Sequence, residues 1–365
     1  MRVGFRVDAT ARIGAGHAMR CLTLADALRA RGAETLFVVA AMPAALEARI
    51  AAAGHGIAKI AAPEGLNRAG EDWHEPPLDA AAQARDSATT LAALGAPAQW
   101  MVVDHYLLDE RWHSSARRGA ERILVIDDLA NRRLDCDLLL DETLGRPVED
   151  YVPLVPRDAT LLAGAFYALL RPEFALARPA ALKRRRGASP AQRILVSLGM
   201  TDIDGATALV VESLHRQKRD WTIDVVMSEH TESLTAVQAL AKVNNAICIH
   251  INSNRMAELM RDADFSIGAG GTSAWERCCL GLPSATMVLA ANQALVADSL
   301  SRVGAAINLP SARAAGQAVA RVIDDHDRLS AMSAAAFAVT DGGGADRIAD
   351  HILAIEPMHQ ARSNA

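Results

Sequence analysis

Aromatic residues are scarce in this 365-residue chain, at 4%, cysteines number five, and no apolar run approaches the length of a bilayer. The alanine-rich stretches are broken by Arg, Glu and Pro, which excludes a membrane-spanning helix. Cys21, Cys136, Cys248, Cys278 and Cys279 are odd in number and lack paired metal-ligand spacing, so they read as free thiols in a reducing compartment. An excess of positive charge is missing too. Thirty-eight Lys and Arg face 43 Asp and Glu, for a net charge of -5 with the signs interspersed. That leaves no broad electropositive field for nucleic acid or anionic lipid. The one basic run, Lys183, Arg184, Arg185 and Arg186, reads as a solvated linker. The amino terminus enters a strand-like pattern without a charged segment, apolar stretch and cleavage site, and the expectation is a cytoplasmic protein without membrane insertion.

What the sequence does have is alternation. Half of it is hydrophobic, and its length suits two domains of ordinary size. Val3, Phe5 and Val7 alternate as a first strand would, and strand-like runs follow at 35–40, 99–104, 122–126 and 137–140 with helical patterns between them. A polar stretch at 63–79, containing Trp73 and His74, has no periodicity and reads as a surface loop or lid, with His74 in solvent. Near 171–193 the pattern lapses. It resumes with runs at 194–198, 223–227, 247–251, 265–268 and 284–289. The expected architecture is α/β: two Rossmann-like doubly wound domains facing a cleft, 1–170 and 193–345, with a linker at 171–192 and a tail at 346–365.

Two glycine-rich turns stand where such sheets bind ligands. In the first, Gly14 and Gly16 lie between the opening strand and a helix marked by Ala18, Cys21, Leu22, Ala25 and Leu28 at helical spacing, and they deliver His17 to the sheet edge. Histidine titrates near neutral pH, which suits His17 to take a proton from water; the alternative is a histidine that packs or caps the first helix turn. In the second, Gly268, Gly270 and Gly271 with Thr272 and Ser273 connect a buried strand to a helix and suit an anionic oxygen cluster. Glu276, one turn on, is placed to accept two hydrogen bonds from a ribose diol. Gly199, Met200 and Thr201 follow the first strand of the same domain, and Asn292 and Gln293 follow the run at 284–289. Three turns converge at one sheet edge, as a nucleotide diphosphate sugar would require. Asp127 and Asp128, adjacent after a strand, read as loop caps; no acidic cluster suits a dedicated metal, and no cofactor is expected.

In combination these residues resemble a known family. Arg6, Asp8, Ile13, Gly14, Gly16, His17, Arg20, Cys21, Leu22, Leu24 and Ala25 match the pattern of the pseudaminic acid pathway hydrolases that cleave UDP-2,4-diacetamido-2,4,6-trideoxy-β-L-altropyranose. The resemblance continues through Asp104, His105 and Tyr106, through Asp127 and Asp128, through Gly270 to Ser273 with Trp275, Glu276, Arg277 and Cys278, and through Asn292 and Gln293. It implies a glycosyltransferase-B-like fold, a UDP-sugar as partner and hydrolysis with inversion, feeding a nonulosonic acid for surface glycans such as flagellar decoration. The catalytic histidine falls on His17. Arg6, Asp8, Gly14, Gly16, Arg20 and Tyr106 fall on the sugar side, with Asp8 supporting the glycine turn. Gly199, Met200, Thr201, the 270–273 turn and Glu276 fall on UDP, and Asn292 and Gln293 on the sugar. Met200 departs from the family, which usually has a second glycine there.

Overall fold

The computed structural model describes residues 1–10, 13–63, 66, 76–187, 191–199 and 202–355, and forms two compact units, Met1–Leu169 with Gly343–Ala365 and Leu170–Gly342. The first holds β1 (Arg2–Val7), β2 (Glu34–Val39), β3 (Gly56–Lys59), β4 (Ala98–Asp104), β5 (Ala120–Ile126), β6 (Leu138–Asp141) and β7 (Thr160–Ala163), in the order β3-β2-β1-β4-β5-β6-β7. The second holds β8 (Arg193–Ser197), β9 (Thr222–Met227), β10 (Ile247–Ile251), β11 (Phe265–Ala269), β12 (Ser284–Met287) and β13 (Ala306–Asn308), in the order β10-β9-β8-β11-β12-β13. Every neighbouring pair is parallel.

Parallel sheets covered on both faces need strands that are apolar on both sides, and β1, β4, β5, β6, β8, β11 and β12 show near-continuous burial. Val3, Phe5 and Val7 pack one face of the first sheet with Leu24 and Leu28, while Met101, Val103 and Ile123 pack the other with Trp112. The second sheet has its own core around Val196, Val225, Phe265 and Ile267. Three strands carry no readable pattern in sequence. β3, β7 and β13 are edge strands, half-exposed or three residues long, so no buried face imposes alternation on them.

Two expected boundaries differ. The 171–192 segment is no extended linker: Pro172 opens the helix Pro172–Arg185, a position where its missing N–H costs nothing, and Phe174 and Ala181 are buried. Its basic end is not simply solvated, because Arg185 donates to the carbonyls of Met260, Ala263 and Gly281, and Arg184 pairs with Asp264. Nor is the end of the chain a tail throughout. The helix Gly344–Ala354 buries Ala345, Ile348, Ala349 and Ile352 at helical spacing against the first unit's core. Each isoleucine buried there contributes about 1.5–3 kcal/mol. Gly344 permits the approach, since a Cβ would lie 2.3 Å from the Ala168 carbonyl. Among the described residues no helix is long and apolar enough to cross a membrane.

In both sheets the order of strand addition reverses between two central parallel strands, β1 and β4 in one unit and β8 and β11 in the other. In open α/β sheets, ligands bind outside the carboxyl ends of strands at this reversal.

Candidate active site

At the reversal of the first unit, Gly14 (φ +76°) turns the chain after β1 into the helix Gly16–Ala30. His17 and Arg20, three apart, share one face of that helix. β4 ends on Asp104, which lies in register with Val7 of β1. The side chains therefore meet: His17 Nδ1 is 2.5 Å from Asp104 Oδ1, and Arg20 donates to both Asp104 oxygens at 2.7 Å. Burial pushes the Asp104 carboxyl up, but the Arg20 guanidinium and His17 outweigh it and hold the group well below the usual carboxylate range. An ionised Asp104 only accepts, so it assigns the hydrogen to Nδ1 and leaves Nε2 of a neutral imidazole as the acceptor.

Around this pair, the Tyr106 ring meets His17 edge-on, centroids 4.7 Å apart at 85°, and its hydroxyl donates to Asp128 Oδ1 at 2.5 Å. Burial and the Asp128 charge hold the phenol far above its ordinary range, so Tyr106 is a neutral donor. Arg20 also reaches Asp128, at 3.3 Å. Glu142, just past β6, is buried and accepts the Leu169 N–H at 2.8 Å; burial pushes its carboxyl up to about 7. Asp104, Asp128 and Glu142 were not read as site residues from the sequence. The available signal was position, because each ends or follows a strand on the sheet's ligand edge.

Two expected substrate contacts do not face solvent. Arg6 is fully buried, bound bidentate to Asp86 at 3.0 and 2.7 Å with Nη1 2.8 Å from Asp8. Asp8 accepts the Ala40 and Ala41 amides at 2.7 and 3.0 Å and faces His105, so it ties β1 to the loop after β2 and not to the glycine turn. Both are framework, because in a sheet covered on both sides a strand arginine has no solvent to reach. Of the adjacent aspartates, Asp127 does cap its loop, accepting from Leu129, Ala130 and Arg132, whereas Asp128 departs from that expectation and joins the site.

At the reversal of the second unit, Gly199 (φ +96°) follows β8 and is exposed; Met200 and Thr201, like Trp73 and His74, lie outside the described residues. After β11, Gly270 is buried against Gln293, where a Cβ would sit 3.0 Å from the Gln293 carbonyl, while Gly271 borders open space. Thr272, Ser273 and Glu276 are half-buried. Arg171 donates to one Glu276 oxygen at 3.2 Å, so the ribose contact expected there shares its carboxylate with a guanidinium; burial pushes that carboxyl up. Gln293 Oε1 accepts the Leu289 N–H at 3.0 Å, which closes its loop and leaves its NH2 for other partners. Asn292 Oδ1 is buried with no partner among the described residues, an arrangement that costs about 1–3 kcal/mol until a donor arrives.

Among the described residues no three His, Cys, Asp or Glu side chains are grouped to hold a metal ion. A cavity of about 930 Å³ lies away from both sites, near the amino ends of β8 and β9. Its charged walls pair with one another, Arg219 with Asp324 and Arg184 with Asp264.

No family model matches the chain. MurG of Acinetobacter baumannii superposes with a TM-score of 0.65 over 97% of this chain and 99% of that one, at 14% identity. The fold is glycosyltransferase-B. A second protein of that architecture, Staphylococcus aureus MnaA solved with UDP, gives 0.64 over 96% of this chain and 95% of its own, at 11% identity. Among curated proteins, the UDP-2,4-diacetamido-2,4,6-trideoxy-beta-L-altropyranose hydrolase of Campylobacter jejuni subsp. jejuni serotype O:2 is 25% identical over 206 residues, 56% of this chain and 71% of that one. The uncharacterized protein MJ1062 of Methanocaldococcus jannaschii is 24% identical over 188 residues, 50% of this chain and 39% of its own length. The chain thus spans well under half of that archaeal relative. In this chain of glycosyltransferase-B fold, the turn carrying His17 belongs to the first unit and the glycine turn with Asn292 to the second.

Proposed function

We propose that the protein hydrolyses a UDP-sugar, with His17 as general base, and that the substrate is the diacetamido-trideoxy sugar named for the Campylobacter relative. The observation that carries this reading is the His17–Asp104 pair, which joins the first turn of the helix after β1 to the end of β4. Asp104 holds Nδ1, so Nε2 takes a proton from water while the water oxygen bonds to the anomeric carbon. The bond from that carbon to the phosphate oxygen breaks, and its electron pair leaves with UDP. A nucleoside diphosphate is a good leaving group, so the second carboxylic acid of ordinary glycosidases is not needed. Attack opposite the leaving group inverts the anomeric configuration.

The second unit would hold UDP: Gly199 and the 270–273 turn at the phosphates, Glu276 at the ribose. The unpartnered Asn292 Oδ1 suits the N–H of an acetamido group. MnaA, of like fold, was solved with UDP, which is in keeping with a UDP ligand for this chain. We place the reaction in the cytoplasm; the exposed free thiol of Cys248 is in keeping with a reducing compartment.

A UDP-sugar glycosyltransferase is the second reading, favoured by the whole-length likeness to MurG. Fold does not choose the acceptor. Incubating the enzyme with UDP-amino sugars and no acceptor separates the two. The hydrolase releases UDP and free sugar, and His17→Ala lowers that turnover about 10²- to 10⁴-fold. A transferase gives little free sugar, and a binding protein leaves the substrate intact.

A further inference from the structure

Arg277 lies fully buried beneath the 270–273 turn, at 1% exposure. A buried guanidinium ordinarily has a carboxylate, since removing an unpaired charge from water is costly. Arg277 has none. Its Nη2 donates to the Ala269 carbonyl at 2.8 Å, its Nη1 to Ser273 Oγ at 3.3 Å, and its Nε has no partner. The charged or titratable neighbours that bear on it are Glu276 and Cys278, and neither makes an ion pair with it. Burial pulls the guanidinium down to about 10, a direction consistent with an uncompensated cation.

The local sequence makes room for this cation. A Cβ at Gly268 would come 2.2 Å from Arg277 Nη1, so glycine at this strand position lets the guanidinium pass under the end of β11. The Ser273 hydroxyl accepts from Arg277, which leaves its own hydrogen for an acceptor in the turn. Gly271 borders open space beside it. A cation, a hydroxyl polarised by that cation and an open glycine backbone therefore share one turn.

We propose that Arg277 is the buried counter-charge of the diphosphate held at the 270–273 turn, acting through the Ser273 hydroxyl as a positioning residue. The inference rests on the reading of the second unit as the UDP site and adds the source of its charge. When the anion is bound, Arg277 gains a nearby counter-charge, and Ser273 passes the attraction on. In the free protein the same cation is a liability to folding.

Calorimetric titration of the full chain with UDP and with uridine tests this in wild type, Arg277→Met and Ser273→Ala. Arg277→Met should weaken UDP about 10- to 100-fold, the loss expected for one charge-assisted contact, and leave uridine within about twofold. Ser273→Ala should shift UDP in the same direction by about 3- to 10-fold. Unliganded Arg277→Met should melt no lower than wild type, whereas a purely structural arginine would lower the midpoint. UDP affinity kept in both variants, or uridine affinity falling in step with UDP, overturns the role of Arg277. If Arg277→Met fails to fold, the arginine is structural as well, and the Ser273→Ala titration decides the relay. Wild type that binds no UDP overturns the UDP reading itself, a separate failure.

Discussion

Arg20 and Arg277 are both buried guanidiniums at the fifth position of a helix beside a sheet's reversal point, and their surroundings are opposite. Arg20 is enclosed by the carboxylates of Asp104 and Asp128; Arg277 touches a carbonyl and a hydroxyl. The first unit has satisfied its cation internally, and the same carboxylate holds the His17 ring. The second has left its cation open and gathers glycines around it. One strand order thus supplies the same crevice twice, and under the proposed function the side chains at the strand ends fit one to a proton and the other to an anion.

The sharpest way to break this contrast is to remove a carboxylate from the first unit. Asp104→Asn leaves Arg20 partly unpaired and frees His17 Nδ1, and stability should fall by about 3–5 kcal/mol. The pH dependence has a definite sign. Asp104 is depressed in the folded protein, so its contribution is present above the unfolded pKa near 3.8 and is lost as pH falls through the lower folded value. Urea unfolding between pH 3 and 7 should show a weaker acid loss in Asp104→Asn. An acid profile identical to wild type would contradict the pairing.

Glu142 tests the opposite sign in the same site. Its carboxyl is raised from 4.5 to about 7, so the folded state binds the proton more tightly and stability declines as pH rises between those values. Glu142→Gln keeps an acceptor for the Leu169 N–H and removes the ionisation. It should gain up to about 3 kcal/mol above pH 7 and little near pH 4, as read from chemical denaturation. The smallest expected effect lies in the second unit. Glu276→Ala should weaken UDP by about 1–3 kcal/mol in calorimetry, and unchanged affinity would remove the ribose contact.

The centre of each sheet was legible in the sequence because doubly buried strands must be apolar throughout, as in Val102, Val103 and Ile194 to Val196. Edge strands such as β3 and β13 carry no such demand. The glycine turns were legible for a local reason, since positive φ at Gly14 and Gly199 favours glycine. What the sequence hid was partnership. His17 and Asp104 are 87 residues apart and meet only because β1 and β4 are neighbours. Arg6, placed on the sugar side by the resemblance, lies instead inside a sheet packed on both faces, where Asp86 receives it. Arg277 stood in a motif already quoted, but its lack of a carboxylate is a property of three dimensions.

Under the proposed function, water activated by His17 attacks the sugar carbon and the diphosphate leaves with uridine. Turnover in ¹⁸O-labelled water tests it most directly, with released sugar and UDP analysed separately by mass spectrometry. The account predicts label in the sugar, none in UDP, and an initially inverted anomer. Label in the UDP would mean attack at phosphorus, and His17 would not be the base that activates water at the sugar.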